Sequence, residues 1–415
     1  MNYRNEWQGL FNYWRRDLLA GVTVGVVALP LALGFAITTG ASPGTGLTTA
    51  IIAGLVAALF GGSNYQVSGP TGAMTVVLVP IVTKYGIAAL TIIGVIAGFM
   101  IILMAAFQLG RYINNVPLPV MEGFTLGIAL IIALQQVPLI FDTPKAQGTH
   151  TLKVALDTFS AAIDSPIHWQ SITLALTTLL LKRSWNTLQK LLRIPLRIPG
   201  SIVAVTLLTL FSKIVNLDVT RIGEIPRSLS LSPHFSKLDI PLYDILYAAL
   251  IVAALGAIES LLSARVADGM AHKVIGSDFQ KHEPNRELFG QGLATIASAC
   301  AGGLPATGAI ARTGVNVNSG ARTRLAAMVH SIFLLLVVFA FAPIVAFIPT
   351  SVLAGVLLGT SLRIANPRSV REALTTTYQQ RLAYLTTALA VLFIDLIWGT
   401  ILGLVVHVIT KKLKK

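Results

Sequence analysis

Apolar stretches separated by short polar breaks run along almost the whole chain. In the first half they cover residues 17–38, 44–60, 70–83, 87–108, 118–138, 169–182 and 199–213, and in the second half 241–268, 288–301, 308–320, 323–343, 349–363, 380–395 and 398–411. A helix needs roughly 20 apolar residues to cross a bilayer, fewer where it is broken or buried by neighbours. The pattern therefore predicts an all-α membrane protein of fourteen transmembrane segments. The third and tenth are short, as half-helices that begin inside the membrane would be. Both follow look-alike breaks. One reads Ala58-Leu59-Phe60-Gly61-Gly62 and then Gly69-Pro70-Thr71-Gly72-Ala73. The other reads Ala299-Cys300-Ala301-Gly302-Gly303 and then Pro305-Ala306-Thr307-Gly308-Ala309. Seven segments in each half start the halves on opposite sides of the membrane, which makes them two inverted seven-segment repeats. Interrupted segments at matching places in two such halves point to a transporter's binding site. Half-helices 3 and 10 meeting at mid-membrane would aim two positive N-termini at one spot, so the expected cargo is an anion.

Composition agrees. The chain has 415 residues, 54% hydrophobic and 12% charged, and a mean hydropathy of +0.75. Soluble proteins carry about a quarter charged residues. Met1 to Trp14 does not read as a signal peptide, because a short apolar run with a small-residue cleavage site is missing. The lone cysteine, Cys300, excludes a disulfide framework and reads as a small packing residue. A net charge of +14 could suggest nucleic acid, but the charges sit between apolar segments. With the N-terminus in the cytoplasm, 23 of the 31 Lys and Arg fall on the cytoplasmic side, among them Arg15, Arg16, Lys182, Arg183, Arg193, Arg197, Arg322, Arg324, Arg363, Arg368, Arg371, Lys411, Lys412, Lys414 and Lys415. Seven fall outside, namely Lys84, Lys145, Lys153, Lys213, Arg221, Arg227 and Lys237. This asymmetry supports an even number of spans with both termini cytoplasmic.

The remaining cation, Arg312, lies inside a span, where arginine is costly. It stands one turn into the helix opened by Thr307, Gly308 and Ala309. Helical side chains lean toward the N-terminus, so its guanidinium would reinforce the helix mouth and offer a fork for an anion's oxygens. A structural ion pair with Glu259 and snorkelling to the cytoplasm are the bland alternatives. Glu259 stands near the middle of the eighth segment, on one face with Gly256 and Ser263. An intramembrane carboxylate is a functional candidate by default. It could bind Na⁺ with the hydroxyls of Ser260 and Ser263, take up a proton when desolvated, or make only a packing hydrogen bond. Pro30 should free a carbonyl in the first span, where Phe35 could wall a pocket. Thr71 and Thr307 read as helix caps. Asp395, Asp268, Glu122 and His407 lie near membrane edges and read as caps or packing groups, and His272 and His282 read as solvated in a charged loop. No phosphate loop, His/Cys metal cluster or nucleophile–base pair is present in the sequence, so the chain is not expected to be an enzyme.

These residues carry a resemblance. Pro284-Asn285-Arg286-Glu287-Leu288, Gly290-Gln291-Gly292-Leu293-Ala294, Gly303-Leu304-Pro305-Ala306-Thr307-Gly308-Ala309-Ile310-Ala311-Arg312-Thr313, Asn316 and Ser319-Gly320-Ala321-Arg322-Thr323 resemble the SulP family of anion transporters, solute carrier family 26 in animals. Val67-Ser68-Gly69-Pro70-Thr71-Gly72-Ala73-Met74-Thr75 and Ala28-Leu29-Pro30-Leu31-Ala32-Leu33-Gly34-Phe35 resemble its third- and first-helix motifs. The resemblance implies the fourteen-segment fold shared with uracil transporters, often as a homodimer. A core (17–108 and 241–343) would move against a gate (118–213 and 349–411). It also implies an anion site between helices 3 and 10, lined by helices 1 and 8. Arg312 matches the family's tenth-helix arginine and Glu259 its eighth-helix acidic residue, which in sodium-coupled members helps bind Na⁺, here with Ser263 nearby. Leu31 stands where many members have glutamine, and Ala311 where a serine is common. The family's cytoplasmic STAS domain is not expected within the chain, which stops at Lys415.

The sequence thus predicts a secondary active transporter of a small inorganic or carboxylate anion (sulfate, bicarbonate or a dicarboxylate) in an inner or plasma membrane. Expected substrate contacts are Phe35, Gly72, Ala73, Thr307, Gly308, Ala309 and Arg312. Glu259 and Ser263 are expected to couple Na⁺ or H⁺, with no other cofactor and with membrane lipid rather than nucleic acid as surroundings. A nucleobase permease of the same fold and an uncoupled anion channel are the alternatives.

Overall fold

A computed structural model of the chain describes residues 10–113, 116–148, 150–193, 198–224, 240–276 and 279–412. Arg197, Arg227, Lys237, Lys414, Lys415 and the stretch before Leu10 lie outside these residues. The described chain is mostly helical. Its elements are α1 (Trp14–Thr39), α2 (Pro43–Phe60), β1 (Ser68–Gly69), α3 (Gly72–Tyr85), α4 (Ala89–Ala106), α5 (Gly110–Ile113), α6 (Leu118–Leu134), α7 (Val137–Phe141), α8 (Thr151–Asp164), α9 (Trp169–Leu191), α10 (Gly200–Ile214), α11 (Leu242–Ile275), α12 (Pro284–Cys300), β2 (Thr307–Gly308), α13 (Ile310–Asn318), α14 (Leu325–Val345), α15 (Thr350–Ile364), α16 (Pro367–Thr375), α17 (Tyr378–Phe393) and α18 (Leu396–Lys412). Each of the fourteen apolar stretches falls on a helix. Among the described residues six helical stretches are long and apolar enough to cross a membrane. The chain divides into two compact units, Met1–Asn114 with Glu224–Val345, and Asn115–Gly223 with Ala346–Lys415.

In the first unit helices approach through small residues, the usual device where burial from water supplies no drive. Gly21 of α1 packs on α14, where an added Cβ would stand 2.7 Å from Val329 Cβ, and Gly94 of α4 packs on α12 at 2.8 Å from Ala299 Cβ. α1 runs unbroken through Pro30, so the proline only removes the donor for one carbonyl. Between α12 and α13 the backbone is not helical, and such a stretch is tolerated at membrane depth only if its polar groups are satisfied. Side chains do this. Ser298 Oγ donates to Leu304 O at 2.7 Å, Thr49 Oγ1 accepts from Leu304 N at 2.7 Å, and Gln291 Nε2 donates to Ala306 O at 2.8 Å. The break after α2 is held likewise. Glu287 Oε2 accepts from Gly62 N and Ser63 N, Asn316 Nδ2 donates to Tyr65 O, and Arg324 Nη1 donates to the carbonyls of Ala58, Leu59 and Gly61. The two breaks then pair as an antiparallel ribbon, Ser68 opposite Gly308 and Gly69 opposite Thr307.

Two sequence expectations are corrected here. His282 is buried, not solvated: its Nδ1 lies 2.7 Å from Asp268 Oδ2, and its backbone N–H also donates to that carboxylate. Cys300 is exposed at the end of α12 rather than packed inside.

In the second unit glycines again set the contacts. Gly127 of α6 meets Val391 of α17, Gly399 of α18 meets the same valine, and Gly355 of α15 meets Thr178 of α9. Lys182 Nζ on α9 donates to Val356 O at 2.6 Å and Thr360 Oγ1 at 2.7 Å. Asp395 caps α18 through Trp398 N. A short bridge pairs Arg221 with Pro349, extended by Ile222 N to Ile348 O at 3.0 Å.

Candidate functional site

The site is built on the ribbon in the first unit. Pro70 and Thr71 follow β1. Thr71 takes extended backbone angles and its Oγ1 accepts from Met74 N at 3.2 Å, which starts α3 at Gly72. The first residues of a helix have no intrahelical acceptor for their N–H groups, so Gly72 and Ala73 present unbonded donors. On the other strand the expectation changes in detail. Thr307 does not cap α13, whose cap position is Ala309. Gly308 N donates to Ser260 Oγ at 3.1 Å and Ala309 N to Val67 O at 2.9 Å. The donors left at that helix mouth are therefore those of Ile310, Ala311 and Arg312.

Glu259 of α11 ties the two starts together. Its Oε2 accepts from Thr307 Oγ1 at 2.6 Å and Thr71 Oγ1 at 2.9 Å, and the two threonine oxygens lie 3.0 Å apart. Gly256, one turn earlier, lies close to α4: a Cβ there would stand 3.1 Å from Ile101 Cδ1 and in ordinary contact with the Thr307 methyl at 3.9 Å. Ser263 is not brought into this cluster; its hydroxyl meets Thr313 Oγ1 at 3.1 Å, which also accepts from Val67 N. Ser260, the other serine of that face, holds the second strand.

Arg312 is 1% exposed, so it does not snorkel. Among the described residues no ion pair within 4.0 Å joins it to Glu259. Its Nη2 donates to Pro70 O at 2.8 Å, and among the described residues its Nη1 has no partner. The guanidinium lies across Gly69, where an added Cβ would be 2.7 Å from Nη1 and where φ is +149°. A side chain at 69 would meet both obstacles, which is why glycine stands there. Phe35 and Leu31 are buried on α1.

The sequence reading missed Gln66 and His330. Gln66 is buried with both amide atoms unpartnered, beside Gly308 and Ser260. His330, on α14, is fully buried, and neither ring nitrogen has a hydrogen-bond partner among the described residues. A histidine within an apolar stretch was itself a signal, by the same reasoning that singled out Glu259. Among the described residues no group of three or more His, Cys, Asp or Glu gathers as a metal cluster.

Broken helices meeting through buried polar side chains, in a chain of long apolar helices, define the class as a membrane transporter. The particular family follows from comparison: the model of the sulfate permease family matches residues 14–405. The chain belongs to that family. It is 37% identical over 405 residues to the putative sulfate transporter YvdB of Bacillus subtilis, covering 94% of this chain and 72% of the other. It is 33% identical over 362 residues to the bicarbonate transporter BicA of Picosynechococcus, covering 83% of this chain and 61% of that one. The chain thus spans about three fifths of that relative. The solved transmembrane domain of a cyanobacterial BicA superposes with a TM-score of 0.82 at 28% identity, over 96% of this chain and 98% of that one. SLC26A9 matches with a TM-score of 0.82 at 16% identity, over 99% of this chain and 67% of that one, a likeness of fold alone.

Proposed function

We propose that this chain moves a small anion by secondary active transport, coupled to Na⁺ or H⁺ at Glu259. The observation that carries the reading is Arg312, a buried guanidinium with an unpartnered Nη1 beside the ribbon that joins the starts of α3 and α13. A buried charge without a partner is strongly disfavoured, and the first N–H groups of α3 and α13 have no intrahelical acceptor either. The anion's size class follows from relatives named as sulfate and bicarbonate transporters. The fourteen helices cross the bilayer as two inverted repeats with both termini cytoplasmic in a plasma or inner membrane, and the chain works as a homodimer. Unit one serves as the core and unit two as the gate, exchanging access by relative movement. Glu259 Oε2 already gathers two hydroxyls, which suits a carboxylate that trades a proton or a sodium ion as the cycle turns.

The test is uptake of labelled sulfate, bicarbonate and fumarate into proteoliposomes under Na⁺ or pH gradients. At least one anion is expected to accumulate under one gradient. Glu259→Gln is expected to abolish accumulation while leaving counterflow. No movement of any anion overturns the reading, and concentrative uptake by Glu259→Gln removes the coupling role.

A further inference from the structure

The break after α2 is clasped by the stretch that leads from α11 into α12. Glu283 N donates to Gly62 O at 3.0 Å, and Glu287 Oε2 accepts from Gly62 N at 2.9 Å and Ser63 N at 3.1 Å. Gln280 N donates to the Tyr65 hydroxyl at 3.2 Å, and Asn64 Nδ2 donates to Gln280 Oε1 at 2.7 Å. The approach is close, since a Cβ at Gly62 would stand 2.2 Å from Glu283 O. Tyr65 packs on Ala267 and Ala271 of α11 and on Val317 of α13, so the clasped segment also touches the second broken helix. His282 ties the clasp to α11. Its Nδ1 lies 2.7 Å from Asp268 Oδ2, and its backbone N–H donates to both oxygens of that carboxylate at 3.2 Å. The ring is buried, and among the described residues its Nε2 has no hydrogen-bond partner.

Two carboxylates face the ring, Asp268 of α11 and Glu287 of α12. A third, Glu283, is engaged at the start of α12, where it accepts from Asn285 N and Arg286 N. The basic neighbours are Lys281, which is exposed, Arg286, buried in the first turn of α12, and Arg324 of α14, which faces Glu287. The Tyr65 hydroxyl faces Asp268. Histidine is the side chain whose charge ordinarily changes between about pH 5 and 8. Neutral, the ring gives Asp268 one hydrogen bond. Charged, it adds the attraction of opposite charges at 2.7 Å, in a place away from water where that attraction is strong. A buried imidazolium is tolerated only when it is paired in this way. We propose that His282, Asp268 and Glu287 form a proton-operated clasp, tight when the ring is charged and looser when it is neutral, on the break from which the ribbon and α3 start. The device is separate from Glu259 and goes beyond the transport reading.

The test is amide hydrogen exchange on the full chain in lipid nanodiscs, from about pH 8 to about pH 5, with rates corrected for the intrinsic effect of pH. Protection of the Gly62, Ser63, Gln280, His282 and Glu283 amides, relative to those of α4, is expected to rise about tenfold or more toward the acid end, the size that one close opposite charge commonly gives. His282→Gln, whose amide still donates but never gains a charge, is expected to stay at the weaker, alkaline level throughout. Asp268→Asn is expected to remove the slope and to lower protection at both ends. A flat wild-type profile, or the wild-type slope kept in His282→Gln, overturns the proposal. If His282→Gln does not fold, the wild-type slope kept in Asp268→Asn overturns it instead. None of these readings needs a transported anion, so failure of the transport reading leaves them standing.

Discussion

At the scale of residues, three hydroxyl and carboxylate oxygens and one guanidinium organise the site. Arg312 and Glu259 were legible because a charge within an apolar stretch stands out. What the sequence could not show is how their side chains divide the work: Glu259 binds threonines, Arg312 binds a carbonyl, and the pair do not meet. Ser263 sits on the expected face, yet a hydroxyl one turn away found Thr313 first. Arg312→Ala is expected to weaken anion binding tenfold or more while the protein stays folded, as read by direct binding and gel filtration. Gly69→Ala is expected to displace the same guanidinium and to weaken binding in the same direction. The double variant should then lose much less than the sum, since both changes act on one group. Additive losses in that cycle would show that Gly69 and Arg312 act apart.

At the scale of elements, apolar runs were easy to read and amphipathic or very short pieces were not. The helix Thr151–Asp164 was missed because Lys153, Asp157 and Asp164 interrupt its apolar positions, and the strands Ser68–Gly69 and Thr307–Gly308 are two residues each. The matching Thr-Gly-Ala segments are nonetheless where α3 and α13 begin. His282 was misread because its partner, Asp268, lies fourteen residues back across a polar loop. Elements pack through glycines, so enlarging one should separate a pair of helices. An added Cβ at Gly355 would lie 2.6 Å from Thr178 Cβ. Gly355→Leu is expected to cost about 1–3 kcal/mol, as overpacking does, seen as a lowered apparent Tm. Leu362→Ala, at an exposed site on the same helix, should change stability by about 0.5 kcal/mol or less. Equal losses in the two variants would remove the packing role of Gly355.

At the scale of the whole molecule, each compact unit is assembled from one stretch of the first half of the chain and one of the second. The candidate site falls within the first of them. Both broken helices, the Glu259 helix and the His330 helix belong to Met1–Asn114 with Glu224–Val345. The most direct measurement is a difference density map of the full chain, saturated with sulfate or with bicarbonate against the anion-free sample. Density is expected within hydrogen-bond distance of Arg312 Nη1, at the joined starts of α3 and α13. Density that instead sits away from the Ser68–Gly69 strand, or no difference at saturating anion, would contradict a binding site at the ribbon.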